Sequence, residues 1–234
     1  MFENVAFGEE AVFTLPPARV ITGTITYEDT NEPVANAKVS ISGGHTWVTI
    51  EGRTDAEGKY RILHNANVDL RIWAYPPVGV AYMGRKAEKL ELENNDSPCN
   101  VDFQLPRATL VKGRVIEKGT GLPVSDATIT LNSGKNVPKN AITGWRAPQK
   151  TDSNGRFSFA VPSGRRTLLV RKKDSNYVLQ TMESNRMNSR KTGGIRQYAN
   201  AFHTMRVIKG TDSIEAKIEA VSYTHLTLPT TPYV

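Results

Sequence analysis

The sequence predicts an all-β protein made of tandem β-sandwich domains. Three observations predict it. Key positions recur at an offset of 90: Gly23 with Gly113, Pro33 with Pro123, Ala37 with Ala127. A second block recurs at an offset of 97, where Thr54-Asp55-Ala56-Glu57-Gly58-Lys59-Tyr60 is answered by Thr151-Asp152-Ser153-Asn154-Gly155-Arg156-Phe157. Internal repetition on this scale marks tandem modules. Between the repeated positions the chain alternates with a period of two, and no amphipathic helix of a dozen residues is visible.

Each unit opens on a strand. Val20, Thr22, Thr24 and Thr26 alternate with Ile21, Gly23 and Ile25, and the second copy begins Gly113-Arg114-Val115-Ile116. Asn31-Glu32-Pro33 and Gly119-Thr120-Gly121-Leu122-Pro123 carry turn chemistry, since Pro fixes φ and Gly permits positive φ. A second strand follows at once, with Ala37, Val39 and Ile41 in one copy and Ala127, Ile129 and Leu131 in the other. Asp55 to Gly58 and Asp152 to Gly155 read as tight hairpin turns, because Asp bonds the backbone two residues on and Gly supplies the left-handed residue. Tyr60 and Ile62, like Phe157 and Phe159, open the returning strand with bulky side chains on one face. Pro162-Ser163-Gly164 turns the chain again before Thr167 to Val170. Short strands between frequent turn signals indicate a sandwich. The structural turn residues are thus Gly23, Pro33, Asp55, Gly58, Gly113, Pro123, Asp152 and Gly155.

These motifs together resemble the carboxypeptidase regulatory-like family, which is similar to Cna B-type and transthyretin-like modules. The resemblance spans roughly residues 18 to 220. It implies tandem prealbumin/Ig-like β-sandwich domains that serve as accessory or structural domains of a secreted bacterial protein. The motifs are turn-and-core motifs, so they speak for fold and hardly for activity. The peptidase in the family name is a separate catalytic domain, and nothing here matches it.

The units divide as 18–106 and 107–220. Residues 1–17 read as the last strand of a truncated preceding repeat, because Phe13, Leu15 and Pro16 align with Phe103, Leu105 and Pro106. Residues 221–234 read as a translated sequencing adapter of the transposase-end type, to be set aside in fold reasoning. The polar stretch at about 184–194 in the second unit reads as a long, disordered loop. No run of 18 apolar residues is present, so no membrane span is expected. The one cysteine, Cys99, has no partner in the chain and reads as a small core filler.

Charge is uneven. Residues 107–220 hold 21 Lys and Arg against 8 Asp and Glu, whereas residues 18–106 hold 9 against 12. The second unit is therefore strongly basic, and Arg165, Arg166, Arg171, Lys172 and Lys173 are its candidate polyanion-binding residues. The basic stretch lacks interleaved aromatics, which argues against nucleic acid. The candidate glycan-binding residues are Arg71, Trp73 and Tyr75, which alternation places on one face, with Trp47 and Trp145 in the loops before each Thr-Asp turn.

Catalytic and cofactor signatures are missing. There is no His-Glu-x-x-His, no paired Cys-x-x-Cys, no nucleophile elbow and no phosphate-binding glycine loop. His45, His64 and His203 stand apart from one another in the sequence. Asp55 and Asp152 sit in Asp-x-x-Gly stretches that resemble fragments of calcium loops, but calcium takes six to eight oxygens, and the second copy offers only Asp152, Ser153 and Asn154. No catalytic residue, metal ligand or cofactor is assigned. The expected function is a non-catalytic spacer or scaffold in a larger extracytoplasmic bacterial protein, with neighbouring repeats as partners. The alternatives are binding of an anionic polysaccharide or cell-envelope polyanion, and service as accessory domains of an enzyme whose catalytic part is missing from this sequence.

Overall fold

The computed structural model describes residues 18–43, 49–64, 70–87, 98–132, 137–142, 148–173, 176–188 and 193–222. The expected strand at 1–17, the loops carrying Trp47 and Trp145, and residues 223–234 lie outside the described residues.

In the N-terminal half, β1 (Arg19–Tyr27) lies between β4 (Lys59–His64) and the closing strands β7 (Cys99–Asn100) and β8 (Phe103–Leu105). The facing sheet has the order β3 (Thr49–Arg53), β2 (Lys38–Gly43), β5 (Leu70–Tyr75), β6 (Arg85–Lys86). Alternate residues of each strand point inward, as a period of two requires. Ile21, Ile25, Val39, Ile41, Tyr60, Ile62, Leu70, Ile72 and Phe103 form one buried cluster between the two sheets, with Cys99 partly buried against it. In the C-terminal half, β9 (Thr109–Glu117) lies between β12 (Arg156–Val161) and β17 (Ser213–Ala220). The sheet opposite runs β11 (Gln149–Lys150), β10 (Thr128–Asn132), β13 (Gly164–Arg171), β16 (Ala201–Val207). Val111, Val115, Ile129, Phe157, Phe159, Leu168, Val170 and Ile218 form a second, separate buried cluster. The architecture is all-β and sandwich-like in both halves.

The repeated residues have repeated jobs. Thr54 and Thr151 are both buried. The Thr54 hydroxyl donates to the Val34 carbonyl at 2.6 Å and accepts from the Ala37 N–H at 2.8 Å. Thr151 does the same with Val124 at 2.7 Å and Ala127 at 2.8 Å. The next carboxylate then closes the hairpin turn. Asp55 Oδ1 accepts from the N–H groups of Glu57 and Lys59 at 3.1 and 2.8 Å, and Asp152 Oδ1 from those of Asn154 and Arg156 at 2.9 and 2.8 Å. Gly58 and Gly155 sit at φ 73° and 72°, where a side chain is strained. Pro33 and Pro123 occupy matching isolated bridges opposite Thr26 and Ile116.

Gly23 and Gly113 are required by close approach. A Cβ on Gly23 would stand 2.0 Å from the Val101 carbonyl oxygen and 2.8 Å from the Tyr60 ring. A Cβ on Gly113 would stand 2.2 Å from the Ala216 oxygen and 2.7 Å from the Phe157 ring. In both halves the aromatic residue pairs directly opposite the glycine. The Tyr60 hydroxyl donates to the same Val101 carbonyl at 2.6 Å, and burial pushes its pKa well above the ordinary phenol value.

The halves differ after β13. Where a disordered loop is expected at 184–194, Ser184–Met187 forms a helical turn, α1. It follows β14 (Gln180–Glu183), which pairs with β15 (Arg196–Ala199). Met187 is buried, with Leu169 and Ala199, in a third cluster. Leu169 alternates with Leu168 and Val170 of the main core, so this hairpin covers the outer side of β13. At 184–187 the chain departs from the expectation because polar composition hides one anchoring methionine, and residues 189–192 lie outside the described residues. Just past β17, Val221 accepts a hydrogen bond from the Val178 N–H at 2.7 Å, and Ser222 bridges Tyr177.

Gly23→Ala and Gly113→Ala are each expected to destabilise the protein by about 2–3 kcal/mol, because backbone must move to admit the methyl group. Denaturant midpoints measure this, and a midpoint unchanged in either variant contradicts the close approach. A second expectation concerns His64, which ends the inward row of β4 and is 5% exposed. Burial lowers its pKa below the usual 6.5. The unfolded chain therefore binds the proton first, and stability falls as pH drops below about 6.5 toward the lower folded value. His64→Phe is expected to flatten the fall in melting temperature between pH 7 and pH 5. An equal fall in the variant contradicts this.

Candidate functional site

The outward row of β5 is Arg71, Trp73 and Tyr75, as alternation predicts: Leu70, Ile72 and Ala74 are buried, Arg71 is exposed, and the two aromatics are half-buried. Strand register builds a surface around them. Arg71 lies opposite Ser42, Trp73 opposite Ser40 on one side and Lys86 on the other, and Tyr75 opposite Lys38. On the next strand, Glu51 lies opposite Ser40 and Arg53 opposite Lys38. The Lys38 ammonium stands 5.0 Å over the Tyr75 ring and 3.1 Å from Glu51. Hydrogen bonds from Lys38 and then Ser40 hold the Glu51 carboxyl below its usual range. Its charge is thus already answered within the face.

Lys38, Arg53 and Tyr75 also reach a cavity of about 460 Å³ at the junction of the two halves. Pro76, Pro77, Tyr82 and Met83 line it from the N-terminal half, and Ile142 and Phe159 from the C-terminal half. The described lining contains no acidic side chain.

The junction itself is densely bonded. The linker residues Pro106 and Ala108 pair with the segment before β6: the Met83 N–H donates to Pro106 at 3.0 Å, and the Ala108 N–H to Ala81 at 2.8 Å. That segment also bonds the C-terminal half, through Ile142 N–H to Gly84 at 2.8 Å and Lys86 N–H to Asn140 at 2.9 Å. Arg107 joins the two ends. Its guanidinium reaches Asp29 at 3.0 Å and Asp212 at 2.6 Å. Tyr82 donates to Asp29 at 2.9 Å and stacks on Tyr27 at 3.9 Å between ring centroids. Arg85 adds an ion pair with Glu28 at 3.3 Å. Burial raises the Asp29 pKa, but the bonds from Arg107 and Tyr82 outweigh it and leave the carboxyl below its usual value. The Asp212 bond and then the Asp29 bond push Arg107 further above its ordinary value.

Of the five basic candidates of the C-terminal half, Arg166 is buried, Arg171 and Lys172 are half-buried, and Arg165 and Lys173 are exposed. Arg166 is 2% exposed, and its guanidinium donates to the carbonyls of Pro162 at 3.0 Å, Arg165 at 3.2 Å and Ser163. It fastens the β12–β13 turn, and its reading as a surface anion ligand is corrected by that burial. Arg165 is exposed but donates to the Met187 carbonyl at 3.2 Å. Arg171 donates to the Tyr198 carbonyl at 2.7 Å. The Lys172 N–H donates to Asn200 Oδ1 at 2.7 Å, and its ammonium lies 3.8 Å from Asp126. Lys173 is exposed. Sequence cannot separate a cation that holds backbone carbonyls from one that meets solvent, since both are simply Arg.

Among the described residues no three His, Cys, Asp or Glu side chains gather into a metal-binding group. Asp55 and Asp152 each spend a carboxylate oxygen on two backbone N–H groups of their own turn. His64 and His203 lie in different halves, each with its pKa lowered by burial. No described helix is long and apolar enough to cross a membrane.

No family model matches the chain, and no curated protein sequence matches it. Solved structures do. The shaft pilin SpaA from Lactobacillus rhamnosus GG is similar over 88% of this chain and 98% of its own, at 11% identity and a TM-score of 0.34. A minor pilin from Streptococcus agalactiae is similar over 92% of this chain and 100% of its own, at 10% identity and a TM-score of 0.33. The TIE protein of Bacillus anthracis is similar over 88% of this chain, at 11% identity and a TM-score of 0.33, and the chain spans about a third, 34%, of its length.

Arg166→Ala is expected to cost about 2–3 kcal/mol, since it strips a buried charge-assisted donor from its carbonyls. Lys173→Ala is expected to stay within about 0.5 kcal/mol, as a surface change. Denaturation of both variants checks the contrast, and equal costs would contradict the internal role of Arg166.

Proposed function

We propose that residues 18–106 and 107–220 are two carboxypeptidase regulatory-like repeats that act as a non-catalytic spacer in a larger extracytoplasmic bacterial protein. The observation that carries this reading is the bonded junction. A flexible linker leaves its domains free to reorient. Here Pro106 and Ala108 are tied to the N-terminal half by backbone hydrogen bonds, and Arg107 spans from Asp29 to Asp212. The segment 81–86 meanwhile bonds residues 140–142 of the other half. Such a joint holds two cores at one separation, and a spacer needs that property. Because Arg107 is half exposed and Asp212 mostly so, the ion pairs add orientation more than stability.

A second reading, binding of an anionic glycan, is favoured by one observation: the row of Arg71, Trp73 and Tyr75 sits among Lys38, Arg53 and Lys86 on a single sheet face. Aromatic faces with a few placed charges are the chemistry of ligand sites.

The spacer reading is tested by spin-label distances between Arg61→Cys and Lys209→Cys in a Cys99→Ser background. A narrow distribution is expected, broadening in Arg107→Ala. A broad distribution before Arg107 is changed overturns the spacer reading.

A further inference from the structure

We propose that the outer face of β3–β2–β5–β6 is the binding surface for an acidic polysaccharide, which runs along Arg71, Trp73 and Tyr75 toward the junction cavity. This rests on the anionic-glycan reading above and adds to it a linear track that ends at the junction cavity.

The distribution of charge carries the first step. Residues 18–106 hold more acids than bases, 12 against 9. Yet on the outer face the described strands place Lys38, Arg53, Arg71 and Lys86 around the aromatics, with Glu51 as the acid among them. Lys38 and Ser40 hold that one carboxylate. A net-acidic half has therefore gathered cations on one face, which favours an anionic occupant. In the C-terminal half, Arg165, Arg166 and Arg171 are engaged by its own carbonyls, and Lys112, Arg114, Arg156 and Lys217 share the outer face of β12–β9–β17 with no aromatic row among them.

Comparison of the two halves carries the second step. Register aligns Ser40 with Thr130, because each follows from the repeat offset of 90. Trp73 lies opposite Ser40, and Leu169 lies opposite Thr130. Likewise Tyr75 corresponds to Arg171 and Arg71 to Thr167. In the C-terminal half this row is covered: Leu169 is 3% exposed, and Met187 of the hairpin cover is 1% exposed. An apolar leucine there suits an apolar lid. In the N-terminal half the equivalent place holds a half-buried tryptophan flanked by tyrosine and arginine. An aromatic ring offers a flat apolar face with polar surroundings, suited to the C–H face of a sugar ring. Arginine adds bidentate recognition of a carboxylate.

Geometry supplies the third step. Alternate residues on a strand stand about 7 Å apart along a nearly straight line. Arg71, Trp73 and Tyr75 therefore form a linear track, fit for a linear polymer. The track ends at Tyr75, Lys38 and Arg53, which are also cavity residues. A terminal acidic sugar would enter there between two cations and the prolines after β5.

The probe is polygalacturonate, with dextran as the neutral control, in native-gel retardation and calorimetry at low and high salt. Retardation by polygalacturonate and not by dextran is expected, weakening with salt as exposed charges are screened. Trp73→Ala and the double variant Arg71→Gln/Lys86→Gln are each expected to weaken binding about tenfold or more, as central anchors do. Lys172→Gln/Lys173→Gln is expected to bind as the unsubstituted protein does. The Arg71/Lys86 variant alters exposed side chains and keeps the test valid if Trp73→Ala misfolds. Polygalacturonate binding that survives both face changes overturns this face and places anionic-glycan binding elsewhere on the chain. No polygalacturonate binding at all overturns both. A concentration-dependent dimer that Trp73→Ala abolishes overturns the proposal in favour of a second copy as occupant.

Discussion

The contact between a glycine and the carbonyl of a neighbouring closing strand sets the rest of the structure. Gly23 meets Val101 and Gly113 meets Ala216, each beneath an aromatic ring from the strand on the other side. Parallel pairing needs a long crossover, because the chain must return to the same end of the sheet. The closing strands do so from the far end of each half, pairing parallel to β1 and β9. A side chain at the glycine would block that return. Once the closing strand is in place, the sandwich is sealed on its second edge, and Phe103 and Ile218 complete the two cores.

The same return positions the junction. Pairing of Phe103, Gln104 and Leu105 with Ile25, Thr26 and Tyr27 brings the linker beside the loop after β1. Arg107 is thereby placed against Asp29, and the Glu28 N–H donates to Leu105 at 3.0 Å. Asp212 arrives from the other side because β17 begins beside Leu110, whose N–H donates to the Asp212 carbonyl at 2.9 Å. The joint is thus a consequence of two closing strands in register, with the ion pairs added at its surface. Backbone bonds fix the angle, and exposed charges, screened by water and salt, refine it.

Much of this was legible in the chain, for local reasons. The Thr-Asp-x-x-Gly turn could be read because its bonds lie within a few residues, from Asp55 to Lys59 and from Asp152 to Arg156. The outward row of Arg71, Trp73 and Tyr75 could be read because strand alternation is a local rule. What could not be read depends on distant partners. Arg166 looks like its exposed neighbour Arg165 until the turn folds around it. The helical turn at Ser184–Met187 depends on Met187 finding Leu169 and Ala199. The bond from Arg107 to Asp212 spans 105 residues, and no local pattern announces it. The closing strand of the second half also escaped alignment, since the hairpin inserted before it breaks the offset that Phe103 and Ile218 would otherwise share.

That insertion explains why two copies of one fold present unlike surfaces. A sheet face in a sandwich has one side committed to the core, so only the other is available for change. In the C-terminal half the change is a hairpin that buries Leu169 and draws Arg165 and Arg171 onto its carbonyls. Those two cations, like Arg166, become part of the architecture, so formal charge alone does not say which cations a ligand could meet. In the N-terminal half the equivalent positions kept bulky, amphipathic and charged side chains. Net charge describes a half as a whole, whereas recognition depends on which charges share a face. Four cations around an aromatic row, in the half with more acids than bases, are the case in point.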